Sequence, residues 1–155
     1  TLGQELSSVK SYIYIQNLRY GERYELHVAI PQELLACQTI KFSLQPIVEN
    51  AVRHGLNENG TLLLRVQPDY TAQKVRILVQ DDGEGMRRET LEKLSTNGHN
   101  GKGIGLRYVV SILKSYYGGK AQMHISSAEH EGTTVTIELP LEGRLLQDDK
   151  SADRG

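Results

Sequence analysis

Residues 44–56 read LQPIVENAVRHGL, and this run constrains the fold more than any other. Its apolar members, Leu44, Ile47, Val48, Ala51 and Val52, fall at i, i+3, i+4, i+7 and i+8, the stripe of a helix buried along one side. The other side carries Glu49, Asn50, Arg53 and His54 within one and a half turns. That set is either a solvated helix face or a group that holds a ligand. The spacing predicts a helix over about 42–54. Pro46 lies inside it, so the helix either starts near Gln45 or is kinked there, and Gly55 is a natural stop.

The flanking segments supply a sheet. Residues 2–20 read as a helix with Leu2, Leu6, Val9, Ile13 and Tyr20 on one side, ended by Gly21. Residues 24–30 read as a strand stopped by Pro31, with a short helical turn at 32–37. Two neighbouring strands are predicted at 61–67 and 74–80, with Pro68 and Asp69 between them. A loop-rich stretch, 83–105, is interrupted by a short helix at 88–94. A second amphipathic helix covers 104–117 and closes at Gly118 and Gly119, and two last strands fall at 120–126 and 133–139. The charged tail from 141 is expected to be mobile. This order predicts an α+β fold, one mixed sheet with helices packed on one face, a two-layer sandwich.

The chain has 155 residues, enough for one domain with a sizeable core. Lys and Arg total 18 against 19 Asp and Glu, so a broad nucleic-acid surface is disfavoured while a local phosphate pocket is allowed. Cys37 is the single cysteine, which excludes a disulfide framework and a cysteine metal site; it reads as a small apolar core residue. No apolar run approaches the ~18 residues of a membrane span. The chain opens at Thr1 with no secretory signal, as an excised piece would.

Two glycine loops carry the chemistry. Asp81-Asp82-Gly83-Glu84-Gly85 follows an apolar strand. It is either a common Asp-Gly turn or a place where a carboxylate at a strand end meets a donor and the backbone approaches a flat ligand. Gly101-Lys102-Gly103-Ile104-Gly105-Leu106 opens directly into a helix, where free backbone N–H groups favour phosphate; the alternative is a flexible linker. It is not a P-loop, because Thr96 stands at the first glycine position and Gly103 follows Lys102. It is not the dinucleotide fingerprint either, because Leu106 replaces the third glycine.

Three pieces in order, Glu-Asn-Ala-x-Arg-His on a helix, Asp-x-Gly-x-Gly after a strand and Gly-x-Gly-x-Gly-Leu opening a helix, are followed by Gly132-Thr133-Thr134 entering the last strand. Together they resemble the Bergerat-fold (GHKL) ATP-binding domain shared by gyrase, Hsp90, MutL and sensor histidine kinases. The wording of LQPIVENAVRHG, YIYIQNLRYGERYEL and GIGLRYV is most similar to LytS/YehU-type sensor histidine kinases. The resemblance implies a mixed, mostly antiparallel sheet covered on one face by helices, with ATP and Mg2+ as ligands. It implies that Asn50 binds Mg2+, that Arg53 lies near the phosphates, and that His54 is the histidine common in this subgroup. It further implies that Asp81 accepts a hydrogen bond from the adenine amino group, with Gly83 and Gly85 lining the base pocket. Gly101, Gly103 and Gly105 would flank the phosphates, with Leu106 beside them, under a mobile lid. Thr133 would reach the adenine through water. Lys102 reaches phosphate or is a surface lysine, and Arg87, Arg88 and Lys93 either touch phosphate or solvate the loop.

Family members that hydrolyse ATP place a glutamate one turn before the Mg2+ asparagine; here that position is Pro46. Glu49 lies about 100° round the helix from Asn50, so it is a general base, a polar helix residue or an ion-pair partner of Arg53. Kinases of this type phosphorylate a histidine in an upstream dimerisation region, in a motif like Asn-Pro-His-Phe. None of the histidines here, at 27, 54, 99, 124 and 130, has that context. The resemblance therefore implies a catalytic half. Residues 1–21 would form a connecting helix, 22–140 the ATP-binding domain and 141–155 the tail. It also implies an upstream phosphoacceptor domain in a homodimeric parent, a response regulator beyond it, no nucleic acid, and a bacterial cytoplasmic location below a membrane anchor. The alternatives are a Bergerat-fold ATP hydrolase and a non-catalytic nucleotide-binding module. The lid between Met86 and Lys102 is short and lacks the phenylalanine of many histidine kinases.

Overall fold

Helix α1, Leu2–Tyr20, begins where Thr1 and Gln4 close a capping box, which satisfies the first free amides of the helix. Leu2, Leu6, Val9 and Ile13 bury the inner face of its first two-thirds, whereas Tyr20, expected on the same face, is 44% exposed. Gly21, at φ +81°, ends it. Asn17 then latches the helix to the segment beyond the turn: its amide donates to the Tyr24 carbonyl at 2.8 Å and accepts from the Tyr24 N–H at 2.9 Å. The computed structural model describes residues 1–21, 23–39, 41, 43–55, 60–69, 73–95 and 104–140.

Among the described residues the sheet has five strands: β1 (Glu25–Ala29), β2 (Thr61–Asp69), β3 (Lys74–Asp81), β4 (Gln122–Ser127) and β5 (Thr133–Pro140). Their order is β1-β2-β3-β5-β4. Only β1 and β2 run parallel; the other neighbours are antiparallel, as the resemblance implied. Burial alternates along β3 and β5, so Val75, Ile77, Val79, Val135, Ile137 and Leu139 point to the helices. Pro68 and Asp69, expected between two strands, instead pair with Val75 and Lys74 inside β2. Strand β1 covers β2 only as far as Arg65, so Pro68 lies where β2 is itself an edge, the place where a strand tolerates a missing N–H.

The helical layer holds α1, α2 (Gln45–Asn50), α3 (Arg88–Ser95) and α4 (Ile104–Tyr117), with 3-10 turns at Gln32–Ala36 and Gly118–Lys120. Helix α2 starts at Gln45 with Pro46 in its first turn, so there is no kink. The regular helix expected to run to His54 stops at Asn50. The Ala51 N–H is shared between the carbonyls of Ile47 and Val48, and a π turn, Ala51–Gly55, follows. Leu44, Ile47, Val48 and Ala51 from this segment meet Leu106, Val109 and Leu113 of α4 and the first half of α1 in one core, with Leu34 added by the first 3-10 turn. Cutting Leu34 or Leu44, both at 0% exposure, back to alanine would cost roughly 2–5 kcal/mol. Cys37 is half-buried against this core, and burial pushes its thiol pKa up, as an inert packing residue requires.

Candidate functional site

Strand β3 ends at Asp81 and β5 begins at Thr133, and the two residues are direct cross-strand partners. The last inward position of one strand thus faces the first of the other, at the end of the sheet where the β3–α3 loop leaves. Asp81 is 5% exposed. Its Oδ1 accepts from the Gly83 N–H at 3.1 Å and from the Thr133 N–H at 3.1 Å. Both bonds land on one oxygen, so among the described residues Oδ2 is left for another donor. Burial raises the Asp81 carboxyl pKa, the two backbone amides oppose that rise, and neighbouring Asp82 adds to it.

Thr133 is buried beside it, and its hydroxyl has a defined polarity. Ser127 Oγ donates to the Gly132 carbonyl at 2.9 Å, which uses its only proton. The 3.0 Å contact between the Ser127 and Thr133 hydroxyls therefore has Thr133 as donor, so Thr133 Oγ1 can offer only lone pairs to a ligand or water. Ser127 went unnoticed in the sequence. Its signal is the register that pairs Ser127 with Thr133, which the bare chain does not display.

The glycines here have steric duties. Gly85 sits at φ +65° and a Cβ there would overlap the Ala128 carbonyl; Gly132 sits at φ +78° and a Cβ there would overlap the Asp81 carbonyl. The His130 N–H donates to the Glu84 carbonyl at 2.7 Å, and the exposed Arg87 pairs with Glu129 at 2.8 Å. The β3–α3 loop and the β4–β5 turn thus close on each other. On the other side, Asp82 Oδ1 accepts from the Thr61 N–H at 2.8 Å, which ties the loop to the start of β2.

The second group of expected site residues lies on α2 and after it. Asn50 ends α2 and is half-buried, and Arg53 is exposed on the π turn. That turn replaces the regular i, i+3, i+4 spacing on which their common face was expected. The backbone of His54 lies in the same turn, and its side chain is outside the described residues. Glu49 accepts from the Gln45 amide at 2.8 Å, one turn back, and does not form the ion pair with Arg53 that its spacing allowed. Glu49 and Arg53 both act electrostatically on Tyr12 of α1: burial raises its hydroxyl pKa, Glu49 adds to the rise and Arg53 opposes it. Pro46 has a positive role, because Gly105 at the start of α4 packs on its carbonyl and Cβ at 3.4–3.6 Å from where a Gly105 Cβ would be. Leu106 is 2% exposed and belongs to the core, so it could meet a ligand only through its backbone. Gly101, Lys102 and Gly103 lie outside the described residues. Among the described residues no cluster of His, Cys, Asp and Glu could hold a metal by itself.

Residues 38–143 match the family described as histidine kinase-, DNA gyrase B-, and HSP90-like ATPase. The chain belongs to that family.

Relatives of this ATPase-family chain are sensor kinases. It is 30% identical over 144 residues to the sensor protein kinase HptS of Staphylococcus aureus, a match that covers 90% of this chain and 28% of HptS. The chain therefore spans little more than a quarter of the length of that curated relative. In fold it is similar to the histidine kinase domain of the blue-light activated histidine kinase of Erythrobacter litoralis, with a TM-score of 0.64 at 23% identity over 99% of this chain and 66% of that one. The mycobacterial sensor histidine kinase MprB matches with a TM-score of 0.60 at 16% identity, over 87% of this chain and 93% of that one. The two-layer α+β sandwich expected from the sequence is the fold these proteins share.

Proposed function

We propose that this chain binds ATP·Mg2+ and donates the γ-phosphoryl group to a histidine in an upstream domain of the same parent protein, as in the LytS/YehU-type sensor histidine kinases. One observation carries the nucleotide reading. Asp81 is a buried carboxylate whose Oδ1 is occupied by two backbone amides while Oδ2 remains to accept the adenine amino proton. Thr133, limited to accepting, is suited to a water that donates to its hydroxyl and bridges to the base.

In this reading Asn50 offers a side-chain carbonyl to Mg2+, a hard oxygen ligand that leaves the remaining positions to water and phosphate. The bound ion would neutralise charge on the transferring phosphoryl group. Arg53 and His54 would stand near the phosphates, and Gly101, Lys102, Gly103 and Gly105 would form the glycine wall opposite. Pro46 offers no base where hydrolysing relatives keep a glutamate, and Glu49 is engaged by Gln45, so no described carboxylate on α2 is positioned to activate water. Positioning and charge neutralisation suffice for transfer to a side chain.

The acceptor would lie in the part of the parent that this chain does not span. Residues 1–21 would join the two parts; the second half of α1 exposes Tyr14, Ile15 and Leu18, an apolar surface that a neighbouring part of the parent would cover. A response regulator would take the phosphoryl group onward. Among the described residues no helix is long and apolar enough to cross a membrane, so the proposed membrane anchor of the parent would also lie elsewhere.

The test is Asp81→Asn. Loss of a hydrogen bond to a charged acceptor costs ~1.5–3 kcal/mol, or roughly tenfold to a hundredfold in ATP affinity. Unchanged affinity would remove the adenine reading. Steady-state phosphate release by the chain alone would favour the hydrolase instead.

A further inference from the structure

Among the described residues two carboxylates are buried, Asp81 in the candidate site and Glu5 in the helical layer. Glu5 is 6% exposed, on the inner side of α1. Its Oε2 accepts from the N–H of Ser43 at 2.9 Å and from the N–H of Leu44 at 3.1 Å. These are the amides at the entry to α2. Helix α2 has no side-chain cap of its own: Leu44 occupies the capping position and its side chain, at 0% exposure, is committed to the core. The cap comes from 38–39 residues away. Buried amides left without an acceptor are costly, so the start of α2 is bound to follow Glu5.

Tyr12, seven residues after Glu5 and so on the same side of α1, lies within electrostatic reach of Glu49 on α2 and of Arg53 on the π turn that follows it. Glu5 thus ties α1 to the start of α2, the helix whose last residue is Asn50.

We propose that Glu5 is a positioning residue: by holding the amides of Ser43 and Leu44 it registers α1 against α2 and so sets where Asn50 stands relative to the nucleotide. The proposal rests on the ATP·Mg2+ reading above. It gives α1 a function beyond joining. A shift of α1 along its axis withdraws the cap and displaces Asn50, while Asp81, held by β3 and β5, stays in place.

The experiment uses the whole chain and a fluorescent ATP analogue, titrated with Mg2+ and with chelator, at a temperature where circular dichroism shows each variant folded. Glu5→Ala should reduce the gain in affinity produced by Mg2+ by about tenfold, the scale of one lost interaction with a charged group. Affinity in chelator, which depends on Asp81, should stay within about twofold. Glu5→Asp keeps the charge but shortens the reach and should also lose most of the Mg2+ gain; it decides the matter if Glu5→Ala does not fold. Glu5→Gln, which keeps an acceptor oxygen at full reach, should restore most of the gain. An unchanged Mg2+ gain in Glu5→Asp, or equal losses with and without Mg2+, would overturn the positioning role. Asp81→Asn run in parallel separates the two claims. If it leaves affinity unchanged, the nucleotide site itself is wrong; if it lowers affinity while the Glu5 variants keep the full Mg2+ gain, only the positioning role is wrong.

Discussion

The proposed adenine end and the proposed phosphate end of the site are built in opposite ways. At the first, Asp81 is buried, two backbone amides hold one of its oxygens, and two positive-φ glycines let the loop and the turn close against carbonyls. At the second, Asn50 is half-buried at a helix end and Arg53 stands exposed on a π turn. A base has one shape and one donor pattern, so it can be met by a rigid, preformed acceptor. A triphosphate with its ion must be gripped and then released as the γ-phosphoryl group leaves, which suits side chains at a helix end and on an exposed turn.

That contrast can be broken by substitution, and the largest effect is expected at the rigid end. Gly132→Ala would drive a Cβ into the Asp81 carbonyl at a φ that alanine avoids, and should lower unfolding free energy by about 3 kcal/mol in a urea titration. A loss below about 0.5 kcal/mol would mean that the turn relaxes freely and the end is not rigid. Asp81→Asn comes next, with the loss of affinity given above and a smaller effect on folding, since an amide oxygen can still accept from the Gly83 and Thr133 amides.

The pH dependence sharpens the comparison because folding and binding move in opposite directions. The pKa of Asp81 is raised by burial, so the folded chain holds that proton more tightly than the unfolded chain. Its contribution to stability is full at low pH and is lost as pH rises through the raised value. Adenine binding needs the ionised acceptor, so affinity rises over that same window. Urea and nucleotide titrations above the ordinary aspartate range should show the two trends in the difference between wild type and Asp81→Asn, because Glu138, held low by Arg76 and Lys74, adds a stability trend of opposite sign to both chains. Parallel trends would assign the titration to another group.

The smallest effect on folding is expected at the exposed end. Arg53→Ala should change unfolding free energy by less than about 0.5 kcal/mol while weakening ATP binding. A larger loss of stability would show that Arg53 braces α1 through Tyr12 rather than serving phosphate.

The two ends also differed in how well they could be read from the chain. The strand-end Asp81 and its glycines were singled out from a local motif and Thr133 from the family resemblance, and the structure brings Asp81 and Thr133 together at one end of the sheet. Ser127 was missed because its meaning depends on the β4–β5 register, and Glu5 because its partners lie 38–39 residues away. The π turn after Asn50 was missed because the apolar period of Ala51 and Val52 continues that of α2; only the shared Ala51 amide marks the change. Pro68 misled because its effect depends on how far β1 covers β2. For Ser127, Glu5 and Pro68 a long-range contact decided the outcome, whereas the π turn turns on a local backbone bond.

The central claim is that the chain hands a phosphoryl group to a histidine it does not itself contain. The direct measurement mixes it with γ-labelled ATP·Mg2+, with and without the upstream acceptor region of its parent supplied separately. The account predicts acid-labile phosphohistidine on the added region and no stable label on the chain alone. Stable label on the chain alone, or free phosphate released with no label on the added region, would contradict it.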